Sequence, residues 1–140
     1  MRLNVYSDGG ARGNPGPAAT AYVLLDEMEK KVLRSGSRYL GIRTNNQAEY
    51  EALIDALENA RSLNATEIVC HLDSELVCKH VTGEYQVKKP QLRLLWEEVQ
   101  TLKQYFNQVQ FRNVPRTNRF IQEADRLVNK RLNEAPRDFA

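Results

Sequence analysis

Three strand patterns follow one another at the N-terminus, and after them helix patterns alternate with single strands. This order restricts the fold more than any other feature of the sequence. The patterns cover, in order, strands at 2–7, 18–25 and 32–40, a helix at 48–60, a strand at 67–72, helices at 73–81 and 90–106, a strand at 109–114 and a helix at 121–133. The order β-β-β-α-β-α-α-β-α predicts an α/β fold with a five-stranded mixed sheet, whose first three strands are antiparallel, flanked by helices. The first and fourth strands are expected to be parallel neighbours joined through a crossover helix.

The chain length indicates one domain. With 140 residues, 41% of them hydrophobic and 27% charged, the sequence fits a single globular domain. We expect this domain to cover residues 1–134, followed by a tail at 135–140. No apolar run approaches the ~18 residues of a membrane helix and no signal peptide is recognised, so a cytoplasmic protein without membrane contact is expected. Cys70 and Cys78 lack metal-ligand spacing and are interpreted as small buried hydrophobic residues.

Positive charge is concentrated in the second half of the chain. Residues 79–131 contain 11 Lys or Arg against 5 Asp or Glu, whereas residues 1–78 contain 8 against 11. A basic half could face a polyanion, although solvated helix faces explain such an excess more often. The charge distribution therefore supports a nucleic-acid hypothesis only if other features lead to it.

The stretch Tyr6–Pro17 presents an acidic residue where a strand gives way to a loop. Asp8 precedes a segment with four glycines and two prolines, and Gly9 and Gly10 follow it directly. Such glycines allow close approach of another part of the backbone. A hairpin turn would explain the same composition equally well.

Three more carboxylates occupy unusual positions. Glu49 lies on or beside the apolar stripe of the 48–60 helix, and Asp125 shares a helix face with apolar residues of the 121–133 helix. An unpaired buried carboxylate is very unfavourable, so each needs a cation, a metal ion or water. Asp73 stands at the end of the strand pattern, directly after residues 67–72. The ordinary explanation for an Asp at such a position is that it caps the N-terminus of the following helix.

The predicted topology brings these carboxylates together. Parallel first and fourth strands place Asp8 and Asp73 at the same edge of the sheet, and Glu49 and Asp125 could reach that edge from the flanking helices. Hard divalent cations with oxygen ligands relieve the repulsion within such a group, and no His or Cys pair favours zinc. Two ions about 4 Å apart promote in-line displacement at phosphorus, so the chemistry predicted is phosphodiester hydrolysis by a two-metal-ion mechanism with Mg²⁺.

Four segments, in their order and spacing, resemble type 1 ribonuclease H over nearly the whole chain. They read SDGGARGNPGP, TNNQAEYEAL, LDSELV and VPRTNRFIQEADRLVN. The resemblance implies the ribonuclease H-like fold, and two Mg²⁺ or Mn²⁺ ions bound by Asp8, Glu49, Asp73 and Asp125. It also implies endonucleolytic cleavage of the RNA strand of RNA/DNA hybrids, leaving 5′-phosphate and 3′-hydroxyl ends.

The resemblance further implies substrate contacts. Those along the minor groove, which displays the 2′-hydroxyl groups of RNA, would come from Gly9, Gly10, Asn14, Asn45 and Asn46. Thr44 would touch a phosphate of the DNA strand. A helix-capping role would account for the presence of Thr44 and Asn45 at these positions about as well as a substrate role would. The expected partner is an RNA/DNA hybrid duplex, bound by a monomer.

Two segments depart from the pattern of many family members. The loop that often supplies a His has Arg116 instead, which cannot exchange protons near neutral pH and is predicted to stabilise charge on the phosphate or leaving group. The segment 82–90 is short, and its only basic residues are Lys88 and Lys89. Some family members insert a basic, helix-rich segment for hybrid binding at this place. Hybrid binding is therefore expected to be weaker or differently oriented. His71 and His80 are interpreted as structural.

Two other functions remain open at this point. One is a catalytically silent hybrid- or RNA-binding module. The complete set of four carboxylates argues against this alternative, because four mutually repelling charges would only destabilise a protein that binds no metal. The other is a different nuclease on the same fold, acting on double-stranded RNA or on junctions. The three asparagines expected at the minor groove favour RNA/DNA hybrids over those substrates.

Overall fold

The structure, a computed structural model, describes residues 1–135. Within them the chain forms five strands and four helices. These are β1 (Arg2–Ala11), β2 (Gly16–Asp26), β3 (Val32–Arg43), α1 (Asn45–Ser62), β4 (Glu67–Leu72), α2 (Glu75–Val81), α3 (Pro90–Lys103), β5 (Gln108–Asn113) and α4 (Arg119–Asn133). The predicted tail at 135–140 lies, beyond its first residue, outside the described residues.

The strands form one mixed sheet in the order β3-β2-β1-β4-β5. β1 is antiparallel to β2, and β2 to β3. β1 and β4 pair in parallel as far as Tyr6 and His71, and β4 and β5 are also parallel. The predicted fold class is therefore confirmed, including the parallel pairing of the first and fourth strands.

Helices cover both faces of the sheet and enclose two main apolar clusters. α1 packs on β1 and β2 and is itself covered by α3. Within residues 1–135, α4 is the one helix on the other face, where it packs over β1, β2 and β3. The larger cluster contains Leu53 and Leu57 of α1, both fully buried. Burial of each such side chain stabilises the fold by about 1.5–3 kcal/mol. The second cluster joins α4 to the apolar residues that alternate along β2, which are Ala19, Ala21, Val23 and Leu25.

Some predicted boundaries were wrong. β1 does not end at residue 7 but continues through Gly9 and Gly10, which pair with Thr20 and Ala19 of β2. Two of the four glycines that suggested a loop therefore belong to this strand, whereas Gly13 lies in the connection to β2, with φ of 97°, and Gly16 begins β2. At Gly9 the small residue reflects contact with another element rather than a turn. α3 ends at Lys103, earlier than predicted, and the rest of the predicted helix lies in the connection to β5.

No helix within residues 1–135 combines the length and the apolar character needed to cross a membrane.

Candidate active site

The four predicted carboxylates come from four separate parts of the chain and border one cleft of about 510 Å³. Asp8 lies in β1, two residues after the last pair that β1 makes with β4, and Asp73 directly follows β4. Because these strands are parallel, both carboxylates lie at the same edge of the sheet, as predicted. Glu49 comes from α1 and Asp125 from α4.

The start of α1 is fixed by local hydrogen bonds. Thr44 is the N-cap, and its Oγ1 accepts a hydrogen bond from the Gln47 amide at 3.2 Å. In return, the Gln47 side chain accepts one from the Thr44 amide at 2.9 Å, which completes a capping box. The capping role of Thr44 is therefore confirmed, and its contact with DNA remains a prediction.

Gly9 lets the first turns of α1 approach β1 closely. A Cβ atom at this position would overlap the backbone carbonyl of Ala48. In the absence of that atom, the Gly9 amide donates a hydrogen bond to Oε1 of Glu49 at 3.0 Å. The glycine thereby brings the Glu49 carboxylate to the position of Asp8.

Three of the carboxylates form a tight group. One oxygen each of Asp8, Glu49 and Asp73 lies within 4.8 Å of the others. Asp8 and Glu49 are buried, with 4% and 8% of their surface exposed. The prediction that Glu49 would be buried is thus confirmed.

Asp125 lies at the rim of the cleft, and the prediction that it would share the buried face of its helix was wrong. Its side chain is 43% exposed. The buried residues of α4 are Ile121, Ala124, Val128 and Leu132. Asp125 lies beside this stripe, on the side that faces the cleft.

Burial and mutual repulsion raise the proton affinity of the group. Burial, followed by the negative charge of Asp73, raises the pKa of Asp8 from 3.8 to about 8. Burial, followed by the charges of Asp8 and Asp73, raises the pKa of Glu49 well above its ordinary value. Without a cation, the group therefore retains protons at neutral pH.

The donor set fits divalent metal ions. Oδ1 of Asp73 is buried and has no hydrogen-bond partner among the described residues. Such an atom is unfavourable unless a ligand satisfies it. The three clustered side chains offer only carboxylate oxygens, which suit hard cations such as Mg²⁺ or Mn²⁺.

Arg116 contacts two of the carboxylates from the loop after β5. Its Nε lies 3.7 Å from Oδ2 of Asp73, and its Nη2 lies 3.7 Å from Oδ1 of Asp125. These distances are too long for strong hydrogen bonds, and the side chain is 77% exposed. The guanidinium therefore keeps its donors available to an anion in the cleft.

The residues predicted to contact substrate divide into three groups. Gly9, Gly10 and Asn45 line the cleft beside the carboxylates. Asn14 lies next to them, since its Oδ1 accepts a hydrogen bond from the Asn45 amide at 3.0 Å. Asn46 lines a separate groove of about 520 Å³ and does not border the carboxylate cleft.

Hydrogen bonds fix the orientation of two of these asparagines. Oδ1 of Asn45 accepts a hydrogen bond from the Ala11 amide at 3.3 Å, and Oδ1 of Asn14 accepts from Asn45 as above. Their Nδ2 groups have no hydrogen-bond acceptor within residues 1–135. These groups can donate to acceptors of a ligand. The Gly9 amide cannot, because Glu49 occupies it.

Sequence reasoning missed Arg12 and Asn129, which also line the cleft. Asn129 lies four residues after Asp125, so helical spacing could have indicated it. For Arg12 the only sequence signal was its place in the glycine-rich stretch.

The two histidines are structural, as predicted. His71 stacks on Tyr6 with ring centroids 4.3 Å apart. Nδ1 of His80 lies 2.8 Å from the buried hydroxyl of Tyr50. Neither histidine borders the carboxylate cleft.

Comparison with known proteins places these features in a family. The family described as "Reverse transcriptase-like" matches residues 6–131. The chain is 37% identical over 140 residues to the bifunctional protein Rv2228c of Mycobacterium tuberculosis, but it spans only 38% of that relative's length. It is 39% identical over 134 residues to ribonuclease HI of Halobacterium salinarum, covering 96% of this chain and 66% of the relative.

Solved structures show the same similarity over nearly the whole chain. RNase H1 from Halobacterium salinarum superimposes with a TM-score of 0.92 at 38% identity, covering 96% of this chain and all of that one. LC11-RNase H1, solved in complex with an RNA/DNA hybrid, gives a TM-score of 0.88 at 37% identity, covering 94% of this chain and 97% of the other.

Proposed function

The chain belongs to the type 1 ribonuclease H family, and from this we propose that it is an endonuclease that hydrolyses the RNA strand of RNA/DNA hybrids. The observation that carries the proposal is the convergence of Asp8, Glu49 and Asp73 within 4.8 Å in an open cleft. In a non-catalytic binding module this arrangement would only destabilise the folded protein, because the neighbouring negative charges repel one another.

In this reaction, a water molecule attacks the phosphorus of an RNA linkage in line with the 3′-oxygen. The bond between phosphorus and the 3′-oxygen breaks, which leaves a 3′-hydroxyl on one fragment and a 5′-phosphate on the other. The residues that would hold two Mg²⁺ or Mn²⁺ ions are Asp8, Glu49, Asp73 and Asp125. Such ions would supply Lewis-acid polarisation of the phosphate and a nucleophile at neutral pH.

The chain's own residues contribute position and charge. The Gly9 amide fixes one oxygen of Glu49 and so holds this carboxylate at the cluster. Arg116, exposed above Asp73 and Asp125, is placed to stabilise negative charge on the phosphate or on the leaving 3′-oxygen.

Recognition of the hybrid would use the asparagines beside the cleft. The free Nδ2 groups of Asn14 and Asn45 can donate to base edges and 2′-oxygens in the minor groove. Backbone groups of Gly9 and Gly10 line the same surface, although the Gly9 amide is already engaged. Asn46 and Thr44 would contact the hybrid farther from the carboxylates. In this proposal the protein acts as a monomer in the cytoplasm.

One assay tests the proposal against the other functions. End-labelled RNA/DNA, RNA/RNA and DNA/DNA duplexes, and a four-way junction, are incubated with the protein in Mg²⁺, in Mn²⁺ and in EDTA. We expect metal-dependent cleavage within the RNA strand of the hybrid, with fragments carrying 5′-phosphates. Hybrid binding without cleavage in either metal would identify a binding module. Preferential cleavage of RNA/RNA or of the junction would identify a different nuclease.

A further inference from the structure

A second guanidinium, that of Arg12, reaches the carboxylate cleft from the connection between β1 and β2. Its Nη2 lies 3.4 Å from the backbone oxygen of Asn129 and 3.4 Å from Oδ1 of the same residue. In turn, the Asn129 Nδ2 donates to the backbone oxygen of Asp125 at 3.0 Å, which turns Oδ1 toward Arg12. The Nη2 group of Arg12 thus tethers this side chain to α4.

The charge of Arg12 is not neutralised by any carboxylate in the part of the chain that the structure describes. No carboxylate among residues 1–135 lies within salt-bridge distance of it, whereas Arg38, Arg43 and Arg126 each pair with an Asp or Glu. Its contacts on α4 are neutral acceptors. Its Nε and Nη1 make no hydrogen bond within residues 1–135, so N–H donors on both edges of the guanidinium remain available to an anion.

The position of Arg12 relative to the carboxylates suggests which anion it binds. Asn129 lies one turn of α4 beyond Asp125, about 6 Å along the helix axis. This distance is comparable to the separation of successive phosphates along one RNA strand. If the strand has its reactive phosphate at the carboxylates and its backbone follows α4 from Asp125 toward Asn129, a neighbouring phosphate comes to the side of the cleft that Arg12 lines.

We propose that Arg12 binds the phosphate of the RNA strand next to the one that is cleaved. This inference rests on the proposed function, and it makes Arg12 a positioning residue that sets the register of the strand over the carboxylates. The contact is to the backbone, so it is independent of base sequence.

Binding experiments test the charge contact directly. Affinity for an RNA/DNA hybrid is measured by fluorescence anisotropy in EDTA, where no cleavage consumes the ligand, over a series of KCl concentrations. Arg12→Ala is expected to lower the affinity roughly threefold to tenfold near 0.1 M salt and to reduce the slope of log K against log salt by about one. Arg12→Lys should keep the wild-type slope. Arg126→Ala is the matched control, because it removes an exposed arginine that pairs with Glu123 and does not line the cleft.

A second variant separates this role from a structural one. Asn129→Ala removes the tether but keeps the charge, so its salt slope should equal that of the wild type. If Arg12 only held α4 in place, both variants would lower the melting temperature and neither would change the slope. That result would overturn the inference.

Cleavage experiments locate the phosphate. A hybrid is prepared with an uncharged methylphosphonate, carried on a deoxynucleotide, next to the cleaved linkage on either side in turn. At one of the two positions, the methylphosphonate should lower the kcat/KM of the wild type by about the same factor as Arg12→Ala lowers it on the unmodified hybrid. The kcat/KM of Arg12→Ala should not fall further on this modified hybrid. Additive losses at both positions would refute the inference while leaving the proposed function intact. Failure of the wild type to cleave any hybrid would refute the proposed function itself.

Discussion

The backbone amide of Gly9 donates a hydrogen bond to Oε1 of Glu49 at 3.0 Å, across a contact between β1 and α1 that leaves no space for a Cβ atom. One position therefore controls both the packing of a helix and the placement of a carboxylate of the cluster.

Gly9→Ala is expected to displace α1 and to damage both stability and activity. The overlap with the Ala48 carbonyl involves backbone atoms, so it cannot be relieved by a rotamer change. Overpacking of this kind costs about 1–3 kcal/mol. Thermal melting should show a clear decrease, together with at least a tenfold loss of turnover. In the control Gly10→Ala, the new Cβ would meet Val128 at an ordinary 3.6 Å, and the melting temperature should change little. Equal melting of Gly9→Ala and wild type would contradict this account.

Asp8→Asn should abolish hydrolysis and stabilise the metal-free protein in a pH-dependent way. The pKa of Asp8 is raised from 3.8 to about 8 in the folded protein, so the folded state holds a proton that the unfolded state releases between these values. Stability is consequently lost as pH rises from about 4 to about 8. The Asn side chain cannot titrate, so Asp8→Asn should raise the melting temperature in EDTA more at pH 8 than at pH 5. Glu27→Gln, at an exposed carboxylate, serves as the control. A variant that melts far below the wild type and keeps proportionate activity would count against the assignment.

Divalent cations should stabilise the protein and release protons on binding. Millimolar Mg²⁺ or Mn²⁺ is expected to raise the melting temperature, because a ligand of the native state stabilises it by about 2.7 kcal/mol at 100 times its Kd. Asp8→Asn and Asp73→Asn should lose this gain. Calorimetric titration at pH 7 in two buffers of different ionisation enthalpy should detect proton release, since Asp8 is protonated below about pH 8 in the metal-free protein. KCl at equal ionic strength is the control, and an unchanged melting curve with Mg²⁺ would refute the metal site.

Arg116→Ala should lower turnover at saturating hybrid by roughly 10- to 1000-fold, the effect of removing one electrostatic stabiliser. Arg116→Lys should recover only part of this loss, because lysine keeps the charge without the planar fork.

Arg119→Ala is the matched control for Arg116, because Arg119 lies over the ring of Phe120, 5.0 Å from its centroid, rather than over the carboxylates. If Arg116 only assisted duplex binding, the defect of Arg116→Ala would appear in KM and vanish at saturating substrate. Turnover within about twofold of the wild type would exclude the catalytic role.

The sequence predicted the sheet and the carboxylate cluster well because both depend on local periodicity and strand order. Glu49 was recognisable from its position on an apolar helical stripe, and Asp73 from its place after a strand. The position of Asp8 depended only on the parallel pairing of two strands. Predictions of this kind remain correct even when the predicted boundaries of strands and helices are wrong by a few residues.

Contacts that depend on how one element packs against another could not be predicted. β1 extends through Gly9 by pairing with β2, and the approach of α1 explains why this strand position is a glycine, which no local pattern records. The half-exposed position of Asp125 depends on how α4 is rotated over the sheet, and a shared helix face gave the wrong burial. The contact between Arg12 and Asn129 joins residues 117 positions apart.

The carboxylates are carried by two different packing clusters. Asp8, Glu49 and Asp73 are carried by strands and a helix of the larger cluster, whereas Asp125 is carried by α4, the one helix among the described residues that packs on the other face of the sheet. Elements with few buried apolar contacts tend to open locally before the rest of a domain unfolds, and we expect α4 to be such an element. Detachment of α4 would remove Asp125 and the anchor of Arg12 while three carboxylates stayed in place. On heating, hydrogen exchange in α4 and loss of nuclease activity should therefore precede the collapse of the central sheet, so that inactivation and denaturation become separate events.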